Sequence, residues 1–127
     1  MLKRSPTPQT VVLVDDDAAL LASMRFMLEL EGLAVETLDS AEALLDHPLP
    51  PAPACLVLDQ HFEGLSGLDA LRRLRERGAT LPALLITSRA PPLMRDEAAS
   101  LGAVVVEKPL LGDGLLAEIR AALAVES

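Results

Sequence analysis

The chain has no tryptophan and no tyrosine, and its only aromatic residues are Phe26 and Phe62, so any core must be aliphatic. One cysteine, Cys55, excludes an internal disulfide; placed inside an apolar run, it reads as a small buried hydrophobe and suits a reducing compartment. Long hydrophobic runs are also missing. The first apolar stretch, Val11–Val14, runs at once into three aspartates. A signal peptide needs a longer apolar region and a membrane span about twenty residues, so the expectation is a soluble cytoplasmic protein with no membrane partner. Basic residues are scarce, 11 against 19 acidic, for a net charge of -8. That excess opposes direct nucleic-acid binding, which needs a basic face to neutralise phosphates, and serves either solubility or attraction for cations.

What the 127 residues do contain is a half-apolar composition, enough for one domain with its own core. Met1–Thr10, with Pro6 and Pro8, reads as a flexible N-terminal arm (1–10), leaving 11–127 as the folded domain. Strands are expected at Val11–Asp15, Ala34–Leu38, Cys55–Leu58, Pro82–Thr87 and Val104–Lys108. Between them lie helical stripes. Leu20, Met24, Met27 and Leu28 mark the first, closed by Gly32; Ser40 caps a short second helix reaching about Leu45. After the turn-like Gly64–Gly67, Leu68, Leu71 and Leu74 mark the third, which ends near Gly78. Pro91 and Pro92 suit the first turn of the fourth helix, where Met94, Ala98 and Leu101 share a face before Gly102. Leu111, Leu115, Ile119 and Leu123 stripe the fifth. The proline-rich segment His47–Pro53 is a stiff connector, with His47 an exposed loop residue. Five strands alternating with five helices predict an α/β fold, a doubly wound five-stranded parallel sheet.

Four of the apolar runs stop at residues suited to phosphate or metal: Asp15-Asp16, Asp59, Thr87 and Lys108. Continuous apolar runs suit strands buried on both faces, and in open parallel sheets ligands bind beyond the carboxyl ends of the strands. Singly, each residue has a plainer explanation. The aspartates suit a helix N-terminus, and Asp17 in particular reads as a cap; Asp59 suits a loop, Thr87 a strand-end hydroxyl and Lys108 a solvated surface. Their placement in order, each at its own strand end, favours a shared site.

In that order, Asp15-Asp16, Asp59, Thr87-Ser88 and Lys108-Pro109 resemble the receiver domain of two-component response regulators, over about residues 11 to 125. The resemblance implies a flavodoxin-like strand order 2-1-3-4-5. It implies that Asp59 accepts a phosphoryl group from a sensor histidine kinase, a phosphotransfer protein or a small phosphodonor. Magnesium would be held by Asp16 and Asp59 directly, by Asp15 largely through water, and by the backbone carbonyl of His61. Lys108 would pair with one phosphoryl oxygen and the Thr87 hydroxyl with another, assisted by backbone N–H groups near Gln60 and Ser88. A cis Lys108–Pro109 bond is implied too. Such a domain is not a classical enzyme, since it catalyses only its own phosphorylation and slow dephosphorylation.

The chemistry is physically coherent. Two like charges about 4 Å apart repel by roughly 4 kcal/mol at an effective dielectric near 20, so clustered carboxylates need a shared cation. Magnesium takes a few oxygen ligands, keeps waters and bridges to phosphate oxygens. Fixed donors around the acceptor stabilise both the transition state and the phosphorylated product.

The sequence departs from the family pattern at several positions. Glu63 stands where receivers commonly carry proline, making that loop more mobile and more negative. Val105 replaces the usual tyrosine or phenylalanine whose rotamer follows activation, and a β-branched valine has little rotamer freedom to report anything. That puts the switch pair Thr87 and Val105 in question, although Thr87 can still move. His61 and Arg89 occupy variable positions, from which they would modulate water attack on the acyl phosphate. Activation is expected as a population shift of the fourth strand and helix and the fifth strand and helix, a face suited to a second copy of the chain or an output domain.

Two rival readings remain open at this level. Asp15-Asp16-Asp17 also satisfies Asp-x-Asp, the opening motif of haloacid-dehalogenase-type phosphatases, with Asp15 as nucleophile and Asp17 as acid/base. Ala18-Ala19 stands against it, where that family has Gly-Thr. A pseudo-receiver that binds partners without taking phosphate is the other.

Overall fold

The computed structural model describes residues 9–110 and 113–125. Its elements alternate without exception: β1 (Thr10–Val14), α1 (Ala18–Leu30), β2 (Ala34–Leu38), α2 (Ala41–Asp46), β3 (Ala54–Asp59), α3 (Gly67–Glu76), β4 (Ala83–Thr87), α4 (Pro92–Ser100), β5 (Ala103–Glu107) and α5 (Gly114–Val125). All strands are parallel, in the order β2-β1-β3-β4-β5. This is the doubly wound sheet the alternation predicts.

Side chains alternate across the sheet and so feed two apolar layers. Val12, Val14, Leu56, Leu58 and Leu85 face one way, onto Leu44 of α2, Leu68 and Leu71 of α3 and Ala98 of α4. Val11, Leu13, Cys55, Val57 and Ile86 face the other, onto Leu21, Met24 and Leu28 of α1 and Leu115, Ile119 and Leu123 of α5. Every residue of β1, β3 and β4 is buried. Cys55 is fully enclosed, as expected of it.

Several sequence expectations need correction. β5 is not buried on both faces: it is an edge strand, Val104 is 50% exposed, and of its residues only Ala103 is buried. An apolar run fixes a strand here but not its depth, because no strand lies beyond it. The first helix turns Leu21 inward and leaves Met27 exposed, so its stripe is Leu21, Met24 and Leu28 with Leu20 half-buried. Thr10, expected outside the folded domain, belongs to the sheet. Thr10 is buried in β1, and the Gln9 carbonyl accepts from Ala34 N at 2.9 Å. His47 is no free loop residue, since its Nε2 lies 2.6 Å from Glu36 Oε1 of β2. Residues 1–8 and Leu111 lie outside the described residues.

Helix ends follow the sequence signals. Asp17, Ser40 and Ser66 each cap a helix through a side-chain oxygen, accepting from Leu20 N, Ala43 N and Asp69 N. Gly32, Gly78 and Gly102, just past the ends of α1, α3 and α4, take positive φ values that other residues resist. Peptide bonds before Pro53 and Pro109 are cis. The proline connector 47–53 enters β3 at the amino edge of the sheet, where Thr10 N donates to Pro53 O at 3.1 Å.

Candidate functional site

Register brings the strand-end residues together. Val14 pairs with Leu58, so the residues that follow, Asp15 and Asp59, are neighbours across the central ladder. On the other side of β3, Asp59 pairs with Ile86, and Thr87 pairs with Glu107, next to Lys108. Lys108 N donates to Thr87 O at 2.8 Å, anchoring the lysine's backbone to the end of β4. Residues 93 positions apart, Asp15 and Lys108, thereby meet at one carboxyl edge.

Carboxylate oxygens of Asp15, Asp16 and Asp59 lie within 4.8 Å of one another. Asp15 and Asp59 are buried, while Asp16 opens to solvent. Lys108 Nζ stands 3.1 Å from Asp59 Oδ1. That oxygen nonetheless has no hydrogen bond, so the contact is an ion pair that leaves a buried acceptor unsatisfied. Burial pushes the Asp15 carboxyl above its ordinary value of 3.8, and Asp59 and Asp16 add to the rise; the Asp17 N–H, which donates to Asp15 Oδ1 at 2.9 Å, and Lys108 oppose it. A raised carboxyl beside an unsatisfied carboxylate marks a cluster short of positive charge. An all-oxygen donor set of this kind fits magnesium.

Thr87 is completely buried and its hydroxyl is fully engaged. It donates to Arg89 O at 2.7 Å and accepts from Arg89 N at 3.2 Å, a local turn that a strand-end threonine makes with its own backbone. His61 Nε2 is 3.1 Å from the same oxygen. The His61 ring, exposed at the rim, therefore touches Thr87 instead of standing free over Asp59. Arg89, Ser88 and Glu63 are exposed around the mouth, and Val105 is half-buried on β5.

One expected contribution is corrected. The Gln60 N–H donates to Ile86 O at 2.9 Å, so the sheet has taken the group that was to meet phosphate. Gln60 instead shapes the loop: its carbonyl accepts from Gly67 N at 3.1 Å and its Oε1 from Leu68 N at 2.8 Å, tying β3 to the start of α3. Sequence reasoning also missed why residue 67 is glycine. A Cβ there would stand 2.2 Å from the Asp59 carbonyl oxygen, so the end of β3 and the start of α3 approach too closely for any side chain. The Gly64–Gly67 turn signal located this loop without revealing the contact.

A doubly wound sheet in the order 2-1-3-4-5, with carboxylates, a threonine and a lysine gathered beyond its strand ends, defines the flavodoxin-like class of phosphate-handling α/β domains. Within that class the chain belongs to the response regulator receiver domain family, which matches residues 11–120. It is thus a receiver domain of two-component signalling, with a phosphoacceptor role. It is 38% identical over 119 residues to the transcriptional regulatory protein FixJ of Azorhizobium caulinodans, covering 93% of this chain and 56% of that protein. It is 39% identical over 116 residues to the C4-dicarboxylate transport transcriptional regulatory protein DctD of Pseudomonas aeruginosa, covering 91% and 25%. Among solved structures, the response regulator StyR superposes with a TM-score of 0.84 at 32% identity, covering 94% of this chain and 61% of that one. FixJ-N superposes at 0.79 with 30% identity, covering 96% and 98%. The chain spans about half the length, or less, of these curated relatives.

The phosphatase alternative is not favoured, since the matched family is the receiver and Asp17, its required acid/base, caps α1 through its carboxylate. No helix among the described residues is long and apolar enough to cross a membrane.

Proposed function

We propose that Asp59 is the phosphoacceptor of a magnesium-dependent receiver and that Lys108 and Thr87 respond to its phosphorylation. The observation that carries this reading is the buried Asp59 Oδ1 with no hydrogen bond, facing Lys108 Nζ at 3.1 Å beside the carboxylates of Asp15 and Asp16. A free lone pair on a buried carboxylate is a nucleophile waiting for an electrophile. In the reaction an Asp59 oxygen attacks phosphorus, a new P–O bond forms, and the bond from phosphorus to the donor breaks with its electron pair leaving on the donor.

Asp16, Asp59 and the His61 carbonyl would hold magnesium, with Asp15 acting largely through water. When bound, the ion neutralises charge on the phosphoryl oxygens. Lys108 leaves the Asp59 carboxylate and pairs with a phosphoryl oxygen. The Thr87 hydroxyl gives up Arg89 O to donate to another, and the exposed Ser88 offers a backbone N–H. Arg89 and Glu63 sit where they would tune water access to the acyl phosphate.

The donor is a sensor histidine kinase or phosphotransfer protein in the cytoplasm, and the phosphorylated form presents α4, β5 and α5 to a second copy or an output domain. On that face Leu93 is 83% exposed and Val104 50%. Names of the curated relatives make transcriptional output the first candidate, in which DNA is bound by another part of the whole protein.

Wild type, Asp59→Asn and Asp15→Asn proteins incubated with magnesium and phosphoramidate, then weighed intact, test the reading. We expect one phosphoryl adduct on wild type and none on Asp59→Asn. An adduct that survives in Asp59→Asn and is lost in Asp15→Asn would support the phosphatase assignment, and no adduct on wild type would support the pseudo-receiver.

A further inference from the structure

A hydroxyl has one proton and two lone pairs, and Thr87 uses them all. The proton goes to Arg89 O, one lone pair takes Arg89 N–H, and the remaining contact is His61 Nε2. Because the only hydroxyl proton is spent on Arg89, the histidine nitrogen must be the donor in that contact. The direction of Thr87 is therefore over-determined, and it is the wrong direction for phosphate. To meet a phosphoryl oxygen on Asp59, Thr87 must withdraw its proton from Arg89 O.

We infer that His61 is a positioning residue, a latch from the β3–α3 loop that holds the Thr87 hydroxyl turned toward Arg89 and so sets the threshold for switching. The inference rests on Asp59 being the phosphoacceptor. It also supplies what valine at position 105 cannot. With no aromatic ring to trade places with the threonine, the resting position is enforced from the opposite side of the site, by a side chain two residues beyond the phosphoacceptor.

Release would be felt beyond the threonine. Once Thr87 turns, the Arg89 carbonyl loses its partner and the 88–91 segment must find another arrangement. That segment is joined to the outer face, because Arg95 Nε of α4 donates to Ala90 O at 3.3 Å and the same guanidinium pairs with Glu107 of β5. The latch thus sits at the start of a hydrogen-bonded line from the phosphoacceptor loop to the α4–β5 surface.

A hydrogen bond of ordinary net strength biases such an equilibrium by roughly 2- to 10-fold. Phosphorylation by phosphoramidate at saturating magnesium should accelerate by about that factor in His61→Ala, and stay near wild type in His61→Gln, whose amide keeps an N–H at similar reach. In a Thr87→Ala background, His61→Ala should change nothing. Acceleration of equal size in both backgrounds would mean that the ring acts on the phosphoryl site itself, and no acceleration by His61→Ala in the protein that keeps its threonine would mean there is no latch; either result overturns the inference. Amide exchange at Arg89 in the unphosphorylated protein reads the same contact without any phosphoryl transfer. There His61→Ala should raise the rate by roughly 2- to 10-fold, whereas an unchanged rate overturns the latch even if Asp59 is phosphorylated normally.

Discussion

At the scale of the residue, the site is held in an uncomfortable state. Asp15 is buried beside two other carboxylates, and its raised pKa means that the folded protein binds its proton more tightly than the unfolded chain does. The sign follows from linkage: between the ordinary value of 3.8 and the raised folded value, stability falls as pH rises, and above that window the full penalty is present. Asp15→Asn, which keeps the acceptor for Asp17 N, should therefore melt a few degrees above wild type at pH 7 without magnesium and lose that advantage near pH 4. Added magnesium should raise the melting temperature of wild type more than that of the variant. A variant that melts below wild type in metal-free buffer would refute this. The positions of these carboxylates were legible in the sequence because each one ends an apolar run. The contact of His61 with Thr87 was not, since it depends on how two loops from different strands meet, and no spacing in the chain records that.

At the scale of the element, α3 and α4 are joined by arginines that the hydrophobic pattern does not reveal. Arg72 spans the two helices, bonding Asp69 Oδ1 at 2.9 Å and Glu97 Oε2 at 2.5 Å. Arg75 works at their carboxyl ends, donating to Leu101 O at 2.7 Å and Ala79 O at 3.0 Å, and burial lowers its pKa. Helix C-termini leave carbonyls without partners, so a cation there satisfies groups the helices cannot. Arg75→Ala should cost about 1.5–3 kcal/mol in urea denaturation while the phosphorylation rate stays unchanged. A loss below a few tenths of a kcal/mol would show that water replaces the guanidinium. Strands and helices were legible because their apolar periods differ, and their ends because Asp17, Ser40, Gly32 and Gly102 are strong punctuation. Depth was not: Val104 and Val12 look alike in sequence, and only the edge position of β5 exposes one of them.

At the scale of the whole molecule, parallel strands separate the two edges of the sheet. Every group in the site lies at or just beyond the carboxyl ends, whereas the proline connector 47–53 lies at the amino edge, a strand length of about 20 Å from Asp59. For the experimenter this separation is a mounting point. A small fluorescent or affinity module spliced between Pro50 and Pro51, the latter exposed, would ride on the molecule without entering the space a phosphodonor must use. Such a chimera should take up phosphate at the wild-type rate, and a slowed rate would reveal that the two edges are mechanically joined through β3.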